Sequence, residues 1–426
     1  MMRSTDQQST DQASTDVLVV GAGIIGLACA HYLTEQNYTV TVIDQGHVAQ
    51  ACSYGNCGYI CPSHIMPLAV PGMISKGMKS MMTPRSPFRI KPQLRLALYT
   101  WLFQLAKRCH QKHVAHAGRH LNQLLDLSRH SYDELMAAYS MECGWQTKGL
   151  MYAFKSAKAM QGFKQANDYL GETYGAAARF LNSSELQAFE PVLVDDLAGA
   201  FIYEQDAHLN PSQFANSWAQ LLKKRGVCFI ENCQLQTINK QVGSIQSLVT
   251  TQGELKADQY VIATGAWSSK LAKQLDVKLP VEPGKGYSVT LPNAQSKLQV
   301  PVLFPEKSVG LTPFEGALRV GSMMEFVGFN ERIPQHRIDL LVDSAEAYLK
   351  EPLATTDAEP WYGWRPMTYD SLPIIDRLPR LENAVVATGH NMLGLTLAPA
   401  TGKLVAGLIS ETTTEFDLSA FAVDRF

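Results

Sequence analysis

Gly21, Gly23 and Gly26 are spaced as G-x-G-x-x-G, between a short apolar β-favouring run and a helix-favouring run. A glycine first allows the tight turn, the second lets the backbone approach a pyrophosphate, and the third lets the helix pack closely on the strand. The helix start then offers unpaired N–H groups and partial positive charge to phosphates. Ile24 and Ile25 complete the turn and are counted with the ligand-binding set. Asp44 closes the next apolar run, Tyr38–Ile43, with Gln45 beside it. A carboxylate there can accept from ribose hydroxyls. Further on, Val261-Ile262-Ala263-Thr264-Gly265-Ala266-Trp267-Ser268 is an apolar strand running into a small-residue turn. Thr264 and Gly265 suit close backbone approach to a cofactor. Together these pieces predict a dinucleotide site, without separating FAD from NAD.

The elements that must hold these residues follow from periodicity. Strands are predicted over Asp16–Val20 and Tyr38–Ile43, with a helix between them to about Gln36, forming a βαβ unit. Leu94 to Ala138 reads as helical, and Asn210 to Arg225 as a helix with Asn210 at the N-cap and Pro211 at N1. Gly149–Phe154, Gly199–Tyr203, Val227–Ile230, Gln259–Ala263 and Ala384–Ala387 read as strands, and Tyr287 to about Val327 as short strands and turns. A glycine-bearing loop precedes a last helix from about Pro399 to Ile409. Dinucleotide-domain material therefore occurs at the start, the middle and the end of the chain.

Composition narrows the partners. Apolar content of 46% and charged content of 18% are those of a globular chain, and the length allows two domains. A net charge of −2 gives no pull toward nucleic acid. Eight cysteines show no paired metal spacing; Cys57 and Cys61 have no second pair nearby, so no metal site is expected. Scattered cysteines fit a reducing compartment. The polar residues 1–15 read as a disordered tail without a secretory signal. No run offers the roughly 20 apolar residues of a spanning helix. A cytoplasmic protein, soluble or peripheral on the inner membrane, is expected. Between Asp44 and Asp126 there is no acidic residue, while residues 76–119 carry ten Lys and Arg beside apolar Met, Trp and Phe. This suits either a solvated basic face or an anionic membrane surface.

Several further segments carry a family resemblance: SYGNCGYICP at 53–62, KGYSV at 285–289, GWRPMTYDSLPIID at 363–376 and TGHNMLGLTLAPATG at 388–402. With GAGIIG and ATGAWS, they make the chain resemble the D-amino acid oxidase/dehydrogenase family of flavoproteins, most nearly the bacterial D-amino acid dehydrogenases. The resemblance implies a discontinuous α/β FAD-binding, Rossmann-like domain (16–75, 195–275 and 355–426) and a mixed α+β antiparallel-sheet substrate domain (76–194 and 276–354).

It also implies roles. Gly21, Gly23, Gly26 and Asp44 hold the ADP half of FAD, and Ser53, Gly55, Asn56 and Gly58 run along its ribityl and isoalloxazine side. Thr264 and Gly265 contact it in the crevice. Gly389, Met392, Gly394, Leu395 and Thr396 lie at the pyrimidine end, where a loop leading into a helix gives donors to the charge that reduction creates. Arg365 pairs with the substrate carboxylate in two-pronged fashion. Tyr287 and Tyr54 are expected to line the pocket, and His64 and His390 to help take up a proton.

Departures from the family pattern sharpen the expectation. Met392 stands where glycine oxidase-like members have a second Arg, which favours an amino acid with a side chain or ring over glycine. The Cys that attaches flavin in sarcosine oxidase-like members is replaced by Arg365, so FAD is expected to be non-covalent. Arg319 stands at the oxygen-activating Lys of those enzymes, favouring a dehydrogenase over an oxidase. Asp376 replaces a common Gly. The expected reaction is oxidative deamination of a small D-amino acid (D-proline and cis-4-hydroxy-D-proline among the options), with electrons passed to a quinone or other carrier and residues 76–119 as the quinone or membrane-surface contact. An oxygen-using amine oxidase is the alternative.

Overall fold

A computed structural model of the chain describes residues 15–81, 86–294, 297–412 and 416–426. The expected tail apart from Thr15, together with Met82 and Arg85 of the basic stretch, lies outside them. Val17–Val20 and Val40–Ile43 are β-favouring runs with every residue buried. Only central parallel strands, covered on both faces, accept such runs. They lie at the heart of a six-stranded sheet with the order 374–378, 381–388, 259–262, 17–20, 40–43, 228–230. All its pairings are parallel except the hairpin 374–378/381–388. The strand order reverses beside Val17–Val20, which opens a crevice at the carboxyl ends of the strands.

Helices Ile24–Glu35 and Gly394–Ile409 cover one face. They approach so closely that a Cβ on Gly402 would lie 2.5 Å from the Ala28 carbonyl oxygen. A three-stranded meander, 235–241, 244–250 and 253–255, covers the other face through Ile238, Ile245 and Leu248. The expected helix over 211–224 forms, with the Asn210 side chain accepting from Gln213 N–H.

The second sheet has nine strands, ordered 359–367, 282–292, 317–326, 309–314, 302–304, 150–154, 199–203, 179–182, with 88–90 pairing onto 317–326. Two parts of the expected domain division are corrected here. Gly199–Tyr203 and Glu359–Met367, assigned to the nucleotide-binding segments, pair in the nine-stranded sheet. Helix Gln111–Ala138, assigned to the substrate domain, buries Leu121, Leu124 and Tyr132 in the nucleotide-domain core. Sequence patterning reports the period of an element but not which of two apolar surfaces receives it. Among the described residues no helix is long and apolar enough to cross a membrane.

Candidate active site

A cavity of about 500 Å³ runs along the crevice, from the Gly21–Gly23 turn to the loop before Gly394, and is closed on its far side by the nine-stranded sheet. Gly21 (φ +111°) could carry no side chain: a Cβ would lie 2.4 Å from the Ala263 oxygen. Gly26 is tighter still, its Cβ position being 1.8 Å from the Gly21 oxygen. Gly26 therefore packs helix on strand and does not line the cavity, whereas Gly21, Gly23, Ile24 and Ile25 do. Asp44 and Gln45 line the same end. Asp44 accepts from Ala22 N–H and Gly46 N–H, both at 2.8 Å, which fixes the turn and leaves lone pairs for a ligand. Sequence reasoning missed Cys233, Gln234 and Gln274 at this end, because they come from distant segments with no motif of their own.

Loop 53–58 forms the middle of the wall. Ser53, Gly55 and Asn56 line the cavity. The second sheet pins the loop's carbonyls: Ser288 Oγ donates to Gly55 O at 2.6 Å, Arg319 Nη1 to Asn56 O at 2.8 Å and Thr312 Oγ1 to Cys57 O at 2.8 Å. Gly55 lies flat on the Trp361 indole, where a Cβ would be 2.2 Å from the ring. Gly58 (φ +76°) instead packs against Leu209 O, away from the cavity wall. Arg319 is 6% exposed, holds the loop from behind and does not line the cavity.

Thr264 and Gly265 line the cavity as expected. A hydroxyl chain secures them: Thr264 to Ser268 at 2.9 Å, Ser268 to Thr388 at 2.8 Å, and Thr388 to Gly265 O at 2.9 Å. At the far end Met392, Gly394 and Leu395 line the wall. Gly389 (φ +73°) packs on Thr368, and Thr396 Oγ1 donates to Tyr59 O at 3.1 Å, so these two support the loop without facing the cavity. Asn391, missed in the sequence, lines the cavity and ties this loop to the strand of Arg365, accepting from Thr368 N–H at 2.9 Å. Asp376, whose effect the sequence left open, accepts from Val423 N–H at 2.9 Å and so docks the C-terminal segment.

Arg365 stands on the cavity wall. Its Nη1 donates to Met323 O at 2.8 Å. Gly286 makes its room: a Cβ there would lie 2.2 Å from Nη1. Burial lowers the Arg365 pKa, with the Cys52 and Cys57 thiols acting in the opposite sense, and among the described residues no carboxylate forms a salt bridge with it. Burial pushes the Cys52 thiol up to about 11 and raises that of Cys57, so both are neutral near pH 7. The guanidinium therefore has no carboxylate partner among the described residues.

Tyr287 lines the cavity as expected, whereas His64 is a correction. Alternating with Gly286 and Ser288, the Tyr287 side chain also packs into the core of the nine-stranded sheet. Its hydroxyl donates to Glu325 at 2.7 Å within the protein, and burial raises its pKa. His64 lies off the cavity beside Tyr152, and burial lowers its pKa to about 4. His390 does line the cavity, but burial lowers it to about 3 and its Nε2 pairs with Thr401 Oγ1 at 3.0 Å. Neither histidine is set to hold a proton at neutral pH. Tyr54 does not line the cavity.

Two features test the fit of a flavin dinucleotide. The helices that open onto the two ends of the cavity, Ile24–Glu35 and Gly394–Ile409, both start without a side-chain cap or an acidic residue in the first turn. Their first N–H groups thus carry no side-chain cap and suit an anionic acceptor. The glycine positions and the Asp44 carboxylate lie beside the first of these ends. The residues fit a ligand with a pyrophosphate at one end and an electron-accepting ring at the other.

A doubly wound sheet, a second antiparallel sheet and a long crevice between them define a two-domain dinucleotide-dependent oxidoreductase. The chain belongs to the DAO family, "FAD dependent oxidoreductase", whose family model matches residues 16–408. It is 31% identical over 419 residues to a D-amino acid dehydrogenase of Vibrio atlanticus, covering 96% of this chain and 99% of that one. It is 32% identical over 416 residues to a D-amino acid dehydrogenase of Neisseria meningitidis serogroup C, with coverage of 96% and 99%. Among solved structures, a glycine oxidase from Bacillus cereus superposes with a TM-score of 0.76 at 21% identity, covering 97% of this chain and 99% of that one, which supports the fold.

Proposed function

We propose that this protein oxidises a D-amino acid at its α-carbon to the imino acid, which water then hydrolyses to a 2-oxo acid. One observation carries the reading: Arg365 stands on the wall of the cofactor cavity with no carboxylate partner among the described residues. A planar guanidinium binds a carboxylate with two parallel hydrogen bonds, and the charge pair is strong where water is scarce. FAD, held non-covalently, supplies the hydride acceptor. Arg365 fixes the carboxylate and hence the α-carbon, and such positioning is the main demand of hydride transfer. Trp361 and the neutral Cys52 thiol line the cavity beside it, an environment that disfavours the substrate's ammonium form and so frees the amine lone pair. The uncapped start of helix Gly394–Ile409 offers donors to negative charge at the second end.

The D-configuration rests on the names of the relatives. A side chain or ring, as in D-proline or cis-4-hydroxy-D-proline, suits the apolar Met392 at the cavity edge. In the steady state with D-amino acids the protein should reduce an artificial quinone or dichlorophenolindophenol, give the 2-oxo or cyclic imino acid, and yield little hydrogen peroxide in air. Stoichiometric peroxide would make it an oxidase, and L-isomers acting alone would overturn the substrate class.

The electron acceptor is proposed to be a quinone met at an anionic bilayer. Helix Leu96–Lys107 buries Leu98, Trp101 and Leu105 and turns a second apolar stripe outward: Leu96 is 82% exposed and Phe103 58%, with Leu94 fully exposed beside them. Exposed Lys91, Lys107 and Lys112 lie in the same segment. Apolar side chains flanked by lysines match a membrane interface. Leu96→Glu with Phe103→Glu should abolish sedimentation with anionic vesicles and leave dye reduction intact; unchanged sedimentation contradicts the assignment.

A further inference from the structure

Within the nine-stranded sheet and the helix packed on it, four polar side chains are almost wholly buried: Lys285 (0% exposed), Arg337 (2%), Tyr287 (3%) and Glu325 (4%). Tyr287 donates to Glu325 Oε2 at 2.7 Å, and Arg337, from helix Gln335–Glu346, pairs with Glu325 Oε1 at 2.6 Å. Arg337 Nη1 also donates to Ser86 O at 2.7 Å. Lys285 caps the carbonyls of Asn330 at 2.6 Å and Arg332 at 2.5 Å. Buried ion pairs contribute little net stability, because desolvation offsets their attraction, so what they specify matters more.

The pairing register shows what this cluster specifies. Strand 282–292 pairs with strand 317–326 as Lys285↔Glu325 and then Tyr287↔Ser322, so the second strand carries one extra residue between the two pairs. This is a β-bulge, a device that re-aims a group beside an active site. Met323 lies in it with φ +65°, a left-handed conformation that costs energy for a non-glycine residue and persists only where its surroundings impose it. The Met323 carbonyl is the group that accepts from Arg365 Nη1. Tyr287 sits on one side of the bulge and Glu325 on the other, and their hydrogen bond spans it.

We propose that Tyr287, Glu325 and Arg337 are positioning residues: they lock the Met323 bulge, the bulge carbonyl orients the Arg365 guanidinium, and the guanidinium orients the substrate carboxylate. The last link rests on the function proposed above. The cluster thus acts on the site through the sheet, the Tyr287 hydroxyl being engaged by Glu325.

The test is Tyr287→Phe, which removes the hydrogen bond across the bulge and leaves the Glu325–Arg337 pair. In the FAD-loaded enzyme, KM for the amino acid should rise by about fivefold or more, while kcat changes by less than about twofold. The dissociation constant of propionate, read from its perturbation of the flavin spectrum, should rise in parallel. In an Arg365→Lys background the added effect of Tyr287→Phe should vanish, since both act through one contact. Glu325→Gln, which keeps an acceptor for the tyrosine, should fall between Tyr287→Phe and the parent. Unchanged KM and propionate affinity with a lowered Tm, or an undiminished effect in the Arg365→Lys background, would overturn the proposal. Propionate separates the two claims. If no D-amino acid reduces the parent protein yet Tyr287→Phe still weakens propionate, the function fails and the positioning stands.

Discussion

Arg365 owes its state to small neighbours. Gly286 is a glycine because the guanidinium occupies the volume a side chain would need, the nearest approach being 2.2 Å. Gly286→Ala should displace the guanidinium without touching the nucleotide end of the crevice. Flavin content should stay near the parent level while KM rises by about tenfold or more, since a shift of order 1 Å in a positioning group has effects of that size. Steady-state kinetics with flavin absorbance checks both halves. The place of Arg365 on the cavity wall was legible in the sequence through the resemblance of its Gly-Trp-Arg-Pro segment. Tyr287 was legible as a lining residue, but the engagement of its hydroxyl by Glu325 was not, because a motif names residues without stating their partners. His64 and His390 were ranked by residue type, but their burial, which holds both neutral, is a property of the fold.

At the scale of elements, the strand–turn–helix at the N-terminus was readable because every local constraint agrees. The strand is apolar, the turn has glycine where the backbone crowds, and the helix start is left uncapped. Gly26→Ala places a methyl group 1.8 Å from the Gly21 oxygen, so the helix and the turn must separate. That change should cost about 1–3 kcal/mol and release FAD, read as a lower ratio of absorbance at 450 to 280 nm. The cavity-facing Asn391 and Cys233 were not readable, because they reach the cavity through loops whose course only the assembled sheets define. The domain boundaries failed for a related reason. Helix Gln111–Ala138 and strand Glu359–Met367 have clear periods, but which core each joins depends on long-range packing.

Across the whole molecule, burial of titratable groups sets opposing pH dependences. Asp206 is fully buried, hydrogen-bonded by Ser63 at 2.6 Å, and desolvation raises its pKa to about 7 from 3.8. Its folded form favours the proton, so its contribution is present below the unfolded value and is lost as pH rises through about 7. Asp206→Asn should therefore gain stability relative to the parent between pH 4 and 8, by on the order of 3 kcal/mol. Denaturant melts at both ends of that range measure it; a constant difference would show that the carboxyl stays ionised. The histidines act in the opposite sense. His31, lowered to about 3, His64 and His208, lowered to about 4, and His390, lowered to about 3, are kept neutral by burial. Their contribution is complete above the unfolded value near 6.5 and is lost as pH falls toward 4 and 3.

The central claim is that Arg365 holds the carboxylate of a D-amino acid against the bound cofactor, and anaerobic reduction tests it most directly. Purified protein and its Arg365→Met variant would be mixed without oxygen with D- and L-isomers of alanine, proline and 4-hydroxyproline, following the flavin band. The account predicts rapid bleaching of the parent by at least one D-isomer and not its L-partner. In the variant the half-saturating concentration should rise by about thirtyfold or more, with FAD still bound. A parent that no D-amino acid bleaches, or a variant reduced at unchanged concentration, would contradict it.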